Sequence, residues 1–216
     1  MKGSSRLICI SGPDGVGKTT QIKMIIQDFN KRGFSTKYVW LRFNNLLALP
    51  VLMIIKISGR NREKELEDGK RIGFYDLKDT KLLKIGYEFS LLLDLWLAAI
   101  FKISIPRILG KTVVCDRFAL DTMIDISISI GNQEFYATSI GKMFLRLIPS
   151  DCTMIVMIAD DESLRARRSE IAHDDFLEDR VRLYKTIGMK SGYTMVNVTG
   201  KSIEEVHSTV STVIGV

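Results

Sequence analysis

The chain has 216 residues, of which 46% are hydrophobic, and its 31 Lys and Arg outnumber its 25 Asp and Glu to give a formal net charge of +6. This length and composition suit one globular domain over residues 1–216, and the scattering of the basic residues disfavours nucleic acid as a partner. Three cysteines without a CxxC pair, with only two histidines, disfavour structural zinc and a disulfide framework. We therefore expect a cytoplasmic protein without a cleavable leader.

Five short apolar runs predict β-strands along the chain. Each is nearly continuous in apolar character, which is typical of strands that are buried on both faces. Stretches with helical periodicity separate them, and the last of these covers roughly 202–213. The alternation predicts an α/β fold, a five-stranded parallel sheet flanked by helices on both faces. The predicted strands are RLICIS (6–11), KYVWLR (37–42), TVVCD (112–116), TMIVMIA (153–159) and YTMVNV (193–198).

The first predicted strand runs into the stretch SGPDGVGKTT (11–20), which matches the pattern G-x-x-x-x-G-K-[ST]. Glycines let successive backbone N–H groups point at an anion, and the helix that follows adds its positive dipole end. The pattern predicts a triphosphate-binding loop in which Lys18 reaches the β- and γ-phosphates and the Thr19 hydroxyl binds Mg²⁺. The predicted ATP-binding residues are Gly12, Pro13, Asp14, Gly15, Val16, Gly17, Lys18, Thr19 and Thr20.

Two apolar runs, 46–57 and 91–103, are candidates for membrane-spanning helices. A helix that spans a bilayer needs about 20 apolar residues, and both runs are shorter and are interrupted by proline or charged residues. We therefore expect buried core or a subunit interface, and no membrane partner. The segment between them, 58–73, is densely charged and predicts a mobile surface insertion.

A fourth feature is the stretch VVCDRFALDT (113–122), in which a predicted strand ends at Asp116 and Arg117 follows. In doubly wound sheets ligands bind at the carboxyl ends of the strands. There, Asp116 can order a magnesium-bound water or the attacking phosphate, and Arg117 can clamp an acceptor phosphate through paired hydrogen bonds. The alternative is an aspartate that begins a helix and pairs with its neighbour.

Further along, SLRARRSEIAHDDFLEDR (163–180) places Arg165, Arg167 and Arg168 at a helix end before a polar turn. Arginines on a mobile segment can stabilise a transferring phosphoryl group, and closure of the segment excludes water. The alternative is an ordinary solvated helix. Together with the phosphate loop and the Asp-Arg pair, the arginines favour a lid over about 165–177.

These motifs together resemble the thymidylate kinase family of P-loop nucleoside monophosphate kinases, over nearly the whole chain. GPDGVGKTTQ is similar to the family's P-loop, CDRF to its D-R-[YH] motif, and WLRF (40–43) to its R-F-P or R-E-P segment. YEFSLLLDLW (87–96) resembles the helix whose phenylalanine stacks on the base, which would be Phe89. RARRSEIAHDDFLEDRVRLY resembles the lid, and Gly15 stands where some members carry a P-loop arginine, so the likeness is to the lid-arginine type.

The resemblance implies a P-loop kinase fold, a homodimer, and Mg²⁺- and ATP-dependent phosphorylation of a nucleoside monophosphate, first of all dTMP. It implies Asp14 at the acceptor sugar and the adenine near Thr199-Gly200-Lys201. The catalytic residues would be Lys18, Arg117, Arg167 and Arg168. The acceptor would be bound by Asp14, Arg42, Phe89, Arg117 and Asp121, and the metal by Thr19 and Asp116.

Three departures from the family pattern concern the acceptor. Leu93 stands where an arginine commonly bonds thymine, Asn44 replaces a proline, and Asp121 and Asp125 replace residues that include a base contact. The two carboxylates either face the acceptor pocket or lie on the solvent side of their helix. Two alternatives therefore stay open: a related kinase with another nucleotide or a sugar or polyol acceptor, and an ATP-binding regulatory protein with little transfer.

Overall fold

The structure is a computed structural model that describes residues 6–42, 46–65, 71–167 and 174–216. Strands and helices alternate along these residues, as the hydrophobic pattern predicts. The strands are β1 (Leu7–Ser11), β2 (Thr36–Trp40), β3 (Asn61–Glu65), β4 (Arg71–Tyr75), β5 (Thr112–Asp116), β6 (Cys152–Ile158) and β7 (Thr194–Asn197). The helices are α1 (Lys18–Lys31), α2 (Leu49–Ile57), α3 (Lys81–Ala98), α4 (Ile105–Ile108), α5 (Ala119–Ile130), α6 (Ser139–Arg146), α7 (Asp161–Arg165), α8 (Leu177–Lys190) and α9 (Ile203–Ile214).

Five of the strands form one parallel sheet in the order β2-β5-β1-β6-β7, and these are the five that the sequence predicts. The expected α/β fold, with helices on both faces of the sheet, is therefore confirmed. Residues of β1 alternate between two cores, with Leu7 and Cys9 in one and Ile8 and Ile10 in the other. Both faces of β1 are covered, which explains why its sequence is continuously apolar.

Helices α1 and α9 cover one face of the sheet, and α3 and α5 contribute to the core on the other. In α1 the side chains of Ile22, Ile25 and Phe29 are fully buried. The helix ends just before Gly33, which adopts φ 79°, a left-handed conformation that favours glycine. This arrangement leaves the carboxyl ends of β1 and β5 side by side, with Ile10 in register with Asp116.

The charged segment 58–73 is more ordered than the sequence predicts. Its described part contributes to a two-stranded antiparallel hairpin, in which Asn61 pairs with Tyr75 and Glu65 with Arg71. The sequence predicts a mobile surface insertion here and does not indicate β3 and β4. Residues 66–70 lie outside the described residues. The charged sequence does not indicate the hairpin, because the pairing of two backbones does not itself require alternating apolar side chains.

The two apolar runs are only partly core. In α2 just Ile55 is buried, while Met53, Ile54 and Ile57 are exposed. Helix α3 continues through a π-helical segment (Ala99–Ser104) into α4, so that 81–108 forms one 28-residue helix. By length and composition this helix could cross a membrane, although the core helix of a soluble protein passes the same test. Buried core is therefore confirmed for their inner faces only, and a subunit interface at their outer faces stays a prediction.

Candidate active site

The loop between β1 and α1 contains backbone conformations and close contacts that require glycine. Gly12 adopts φ 148°, and a Cβ built on it would lie 2.2 Å from the carbonyl oxygen of Met157 on β6. Gly17 adopts φ 97° and is the N-cap of α1, so the free N–H groups of that helix open toward the loop. The geometry is that of an anion cradle at a helix N-terminus.

Lys18 lies within this loop and is 5% exposed. Its Nζ donates to the carbonyl oxygens of Gly12 and Pro13, over 2.8 Å and 2.7 Å. Burial lowers the pKa of Lys18 to about 7, and the positive charge of Arg117 lowers it further, while nearby carboxylates oppose the shift. The negative charge of a bound phosphate would therefore stabilise the protonated form of Lys18.

Thr19 and Asp116 bring together two oxygen donors at the end of β5. Thr19 Oγ1 donates to Asp116 Oδ2 over 2.9 Å, and Tyr38 Oη donates to the same oxygen over 3.2 Å. A hydroxyl and a carboxylate beside a phosphate loop suit Mg²⁺, which takes a few protein oxygens and completes its shell with phosphate and water. The residues that the sequence predicts for the metal thus fit the ion. In the described parts of the chain no group of three or more His, Cys, Asp or Glu could hold a metal.

Arg117 follows Asp116 in a strained conformation. Among the described residues it is the one non-glycine with positive φ, 65°, and its N–H donates to the carbonyl oxygen of Ile10 over 3.0 Å. Its guanidinium donates to Asp14 in the phosphate loop. The backbone turn thus points the cation from the end of β5 into the cleft, and such strain is found where function requires a side-chain direction.

Asp14 links Arg117 to the second predicted acceptor residue, Arg42. Arg42 Nη1 lies 3.0 Å from Asp14 Oδ2. Burial alone would raise the pKa of Asp14, but Arg117 and Arg42 outweigh it and hold that pKa well below the ordinary range. The three residues that the sequence assigns to the acceptor phosphate and sugar therefore lie together, with a carboxylate between two guanidinium groups.

The sequence assigns Asp121 to the acceptor site, but this residue does not line the cleft. It lies beneath the cleft and is 1% exposed. Its carboxylate accepts hydrogen bonds from the N–H of Phe118, over 3.0 Å, and from the hydroxyl of Tyr184, over 2.7 Å. It also accepts from the hydroxyl of Ser11 and lies 3.5 Å from Arg117 Nη1. Asp121 thus caps α5 and holds Arg117 from below, and it has no open side for a ligand.

Asp125 is likewise occupied by protein partners, so neither carboxylate lies on the solvent side of α5. Its Oδ2 lies 3.1 Å from Arg42 Nε, and its Oδ1 accepts from Arg180 on α8. Arg180 Nε in turn lies 3.4 Å from Asp174 Oδ2, within the predicted lid. Burial would raise the pKa of Asp125, but Arg42 and Arg180 lower it overall. Sequence reasoning missed Arg180, whose only signal is its place one turn before Tyr184.

Phe89 and Leu93 lie on the outer side of α3, 45% and 48% exposed, and neither lines the cleft that holds Lys18 and Arg117. The ring on the inner side is Tyr87, which is buried and packs edge-to-face on Tyr75, with ring centroids 5.8 Å apart. Burial raises the pKa of Tyr87, and the charge of Asp125 raises it further. Tyr87 thus lies near Asp125 on the inner side of α3, two positions before Phe89, the residue that the resemblance indicates.

The described part of the lid reaches the phosphate loop through Arg167, whose Nη1 donates to the carbonyl oxygen of Gly15 over 3.1 Å. Arg165 ends α7, and the other candidate, Arg168, lies outside the described residues. Asp160 caps α7 by accepting from the N–H of Ser163 over 2.7 Å. The hydroxyl of Thr199, in the loop predicted to hold the adenine, accepts from the Asp160 N–H over 3.0 Å, so this loop lies at the base of the lid.

A cleft of about 420 Å³ joins these features. It opens at the carboxyl ends of β1, β2 and β5, where an α/β sheet binds its ligands. A cleft with phosphate-binding groups at one end and two arginines at the other can hold two phosphorylated groups close together. It is lined by Asp14, Gly15, Gly17, Lys18, Thr19, Thr20, Trp40, Arg42, Asp116 and Arg117.

Comparison with known proteins supports the fold alone. No protein-family model matches the chain, and no curated protein matches it by sequence. Among solved structures, the chain is similar to thymidylate kinase from Ehrlichia chaffeensis, with a TM-score of 0.60 and 18% sequence identity. That match covers 98% of this chain and 99% of the other. The arrangement of strands and helices is thus that of a thymidylate kinase-like P-loop fold.

Proposed function

We propose that this protein is a Mg²⁺- and ATP-dependent kinase that transfers the γ-phosphoryl group of ATP to a nucleoside monophosphate, with dTMP as its acceptor. The observation that carries the proposal is the contact of Asp14, in the phosphate loop, with both Arg42 and Arg117. It joins a donor-phosphate site to a pair of cations that face the same cleft. Phosphoryl transfer consists largely of such positioning and charge stabilisation. The homodimer, the cytoplasmic location and the lack of a nucleic-acid partner stay predictions.

On the donor side, the loop would hold the β- and γ-phosphates. Lys18 would leave the carbonyl oxygens of Gly12 and Pro13 and move to the phosphate oxygens. Thr19 and Asp116 would hold Mg²⁺, which when bound neutralises charge on the β- and γ-phosphate oxygens. Because the lysine sits in the loop already, nucleotide binding requires only a short movement of its side chain.

On the acceptor side, Arg42 and Arg117 would bind the phosphate of the acceptor. Both guanidinium groups now contact the Asp14 carboxylate, so the acceptor phosphate would displace that carboxylate from at least one of them. A phosphate dianion offers more charge and more acceptor oxygens than a carboxylate. The freed Asp14 would then reach the acceptor sugar, and Asp125 would keep Arg42 in place.

The lid would complete the site. Arg167 lies over the loop at Gly15, where it can stabilise the transferring phosphoryl group once the nucleotide is bound. A protein that only binds ATP gains nothing from a cation placed for the transition state. This contact therefore favours a kinase over an ATP-binding regulator.

A second candidate is a kinase of the same mechanism with another small acceptor. It is favoured by the surroundings of the cleft. The polar residues expected to form hydrogen bonds with a base are either bonded to other protein groups or absent. Asp121 is buried beneath Arg117, Asp125 is held by two arginines, and Leu93 lies on the outside of α3. A binding site selects one base when its polar groups form hydrogen bonds with that base and stay unpaired with any other.

The test is an acceptor panel in which ADP release from Mg-ATP is measured and each product is identified by mass spectrometry. The panel includes dTMP, dUMP, the other nucleoside monophosphates, and a few sugars and polyols. Formation of dTDP well above all other products is the expected result. Another phosphorylated product would replace dTMP as the acceptor, and slow ATP loss without stimulation by any acceptor would favour the regulator.

A further inference from the structure

The hydroxyl group of Tyr38, on β2, lies at the carboxylate that the metal site requires, although the sequence does not assign Tyr38 to that site. Tyr38 Oη donates to Asp116 Oδ2 over 3.2 Å, and Thr19 Oγ1 donates to the same oxygen over 2.9 Å. Asp116 is 3% exposed, so both donors reach it inside the protein rather than at its surface. The pair that fits Mg²⁺ is therefore a cluster of three residues.

The register of the main sheet explains how Tyr38 reaches this carboxylate. Tyr38 pairs with Val114, and Asp116 lies two residues further along β5. Residues in register, and residues two apart on one strand, point to the same side of a sheet. Val114 belongs to the core that α1 covers, so Tyr38 and Asp116 also face α1, whose second residue is Thr19. The long side chain of tyrosine spans the offset of two residues, about 7 Å.

The ring of Tyr38 is only partly buried. It lies on β2, at the edge of the main sheet, and is 46% exposed. Together with Ile22 and Ile26 of α1 it borders an open groove of about 440 Å³. A phenylalanine would make the same apolar contacts there, so packing alone does not account for the hydroxyl. The hydrogen bond with Asp116 is what the hydroxyl adds.

Tyr38 is the donor in this hydrogen bond at any pH near neutrality. Burial raises the pKa of Tyr38 to about 12, and the negative charge of Asp116 contributes to the rise. An ionised carboxylate can only accept, so the proton of the bond belongs to the tyrosine. Both hydrogen bonds fall on Oδ2 of Asp116. They therefore restrict the rotation of the carboxylate without engaging its Oδ1.

We propose that Tyr38 is a positioning residue for Mg²⁺, which acts by holding the Asp116 carboxylate in the orientation that binds the ion together with Thr19. The inference rests on the proposed function, because it requires Mg²⁺ and a nucleoside triphosphate at the phosphate loop. Groups that form hydrogen bonds with the protein ligands of a metal orient those ligands, and their loss weakens metal binding by about 10- to 100-fold. Tyr38→Phe removes one of two donors, so we expect the lower end of this range.

The test is the affinity of adenylyl imidodiphosphate, an ATP analogue that is not hydrolysed, measured by calorimetry in Mg²⁺ and in EDTA. The ratio of the two dissociation constants gives the gain in nucleotide affinity from the metal. In Tyr38→Phe the affinity in EDTA should equal that of the wild type, and the gain from Mg²⁺ should fall about tenfold. Tyr136→Phe is the matched control, since its hydroxyl accepts from Lys190 and it does not line the cleft. It should behave as the wild type does.

A double-mutant cycle shows whether Tyr38 acts through Asp116. Asp116→Asn should remove most of the gain from Mg²⁺, and the addition of Tyr38→Phe should then change nothing more. Losses that multiply in the double variant would overturn the inference, because Tyr38 would act elsewhere. A full gain from Mg²⁺ in Tyr38→Phe, an equal loss of affinity in EDTA, or a wild type without any gain would overturn it too. Since no acceptor is present and no phosphoryl group is transferred, these results are independent of the acceptor panel that tests the proposed function.

Discussion

Arg42 Nη1 lies 3.0 Å from Asp14 Oδ2, so the arginine proposed for the acceptor phosphate is bound to the loop proposed for the donor phosphates. Arg117 contacts the other oxygen of the same carboxylate. In this arrangement Asp14 occupies the place between two guanidinium groups that a phosphate would take. The carboxylate therefore competes with anions for the cleft.

Replacing Asp14 tests this competition. In Asp14→Asn the amide no longer pairs with Arg42 and Arg117, and inorganic sulfate should bind in the cleft roughly fivefold more tightly, as expected for a partly exposed ion pair of about 1 kcal/mol. Isothermal titration calorimetry with sulfate measures the change. Asp28→Asn, on α1 away from the cleft, is the matched control. Equal sulfate affinity in the wild type and Asp14→Asn would contradict the competition.

Lys18 should take up a proton when the nucleotide binds. Its pKa is about 7 because it is buried, so at pH 8 about nine tenths of the lysine is neutral, and the triphosphate should raise that pKa. Calorimetry at pH 8 in buffers of different ionisation enthalpy should therefore report close to one proton bound with ATP. Lys18→Arg, which stays charged at every accessible pH, should report none. A wild type with no proton uptake at pH 8 would contradict the lowered pKa.

The backbone of the phosphate loop makes Gly12 indispensable. Gly12→Ala places its Cβ 2.2 Å from the Met157 carbonyl oxygen, a backbone atom that cannot turn aside, and should cost about 3 kcal/mol of unfolding free energy. Gly33→Ala is the control, because Gly33 also has positive φ, 79°, but nothing within 4 Å of the added Cβ. It should cost about 1 kcal/mol. Urea unfolding gives both values, and equal losses would exclude the steric explanation.

Asp125 should stabilise the fold in a way that depends on pH. Its pKa is lowered in the folded protein, so its contribution is complete above the unfolded-state value of about 4 and is lost as the pH falls through the folded value. Asp125→Asn leaves Arg42 and Arg180 without their shared carboxylate and should cost about 2 kcal/mol near neutral pH. The difference from the wild type should shrink below about pH 4. A pH-independent difference in urea unfolding would be evidence against the ion pairs.

Arg167 should act on the chemical step rather than on nucleotide affinity. Within the described residues its contact in the cleft is with the carbonyl oxygen of Gly15, so Arg167→Ala should bind ATP nearly as the wild type does. Turnover should fall by about 10²–10³, the cost of losing one transition-state donor. Steady-state kinetics separate kcat from KM, and Arg146→Ala on α6 is the control. A change confined to the KM for ATP would assign Arg167 to binding only.

Much of the fold follows from the sequence because the strands of the main sheet are buried on both faces and read as apolar runs. This reasoning does not find the β3–β4 hairpin, since β3 is highly charged and the hairpin pairs outside the main sheet. The phosphate loop and the Asp116-Arg117 turn can also be predicted, because their chemistry fixes residue type and spacing at once. Their mutual contacts then follow from the sheet order, which brings β1 next to β5.

The acceptor side could not be predicted to the same extent. Helix α3 is apolar on its inner and its outer face, so periodicity cannot tell whether Tyr87 or Phe89 points inward. Asp121 and Asp125 look like ligand-binding residues because they follow the Asp-Arg motif. Their partners Tyr184 and Arg180 come from α8, some 60 residues away in sequence, and only the packing of α5 on α8 brings them together.

The most direct test of the proposed function is ³¹P NMR of the γ-phosphorus of ATP with Mg²⁺, dTMP and the protein. The proposal predicts that this phosphorus appears as the terminal phosphate of a diphosphate, at a rate that depends on dTMP and is nearly abolished in Lys18→Ala. Release of inorganic phosphate alone, or equal turnover in Lys18→Ala, would contradict it.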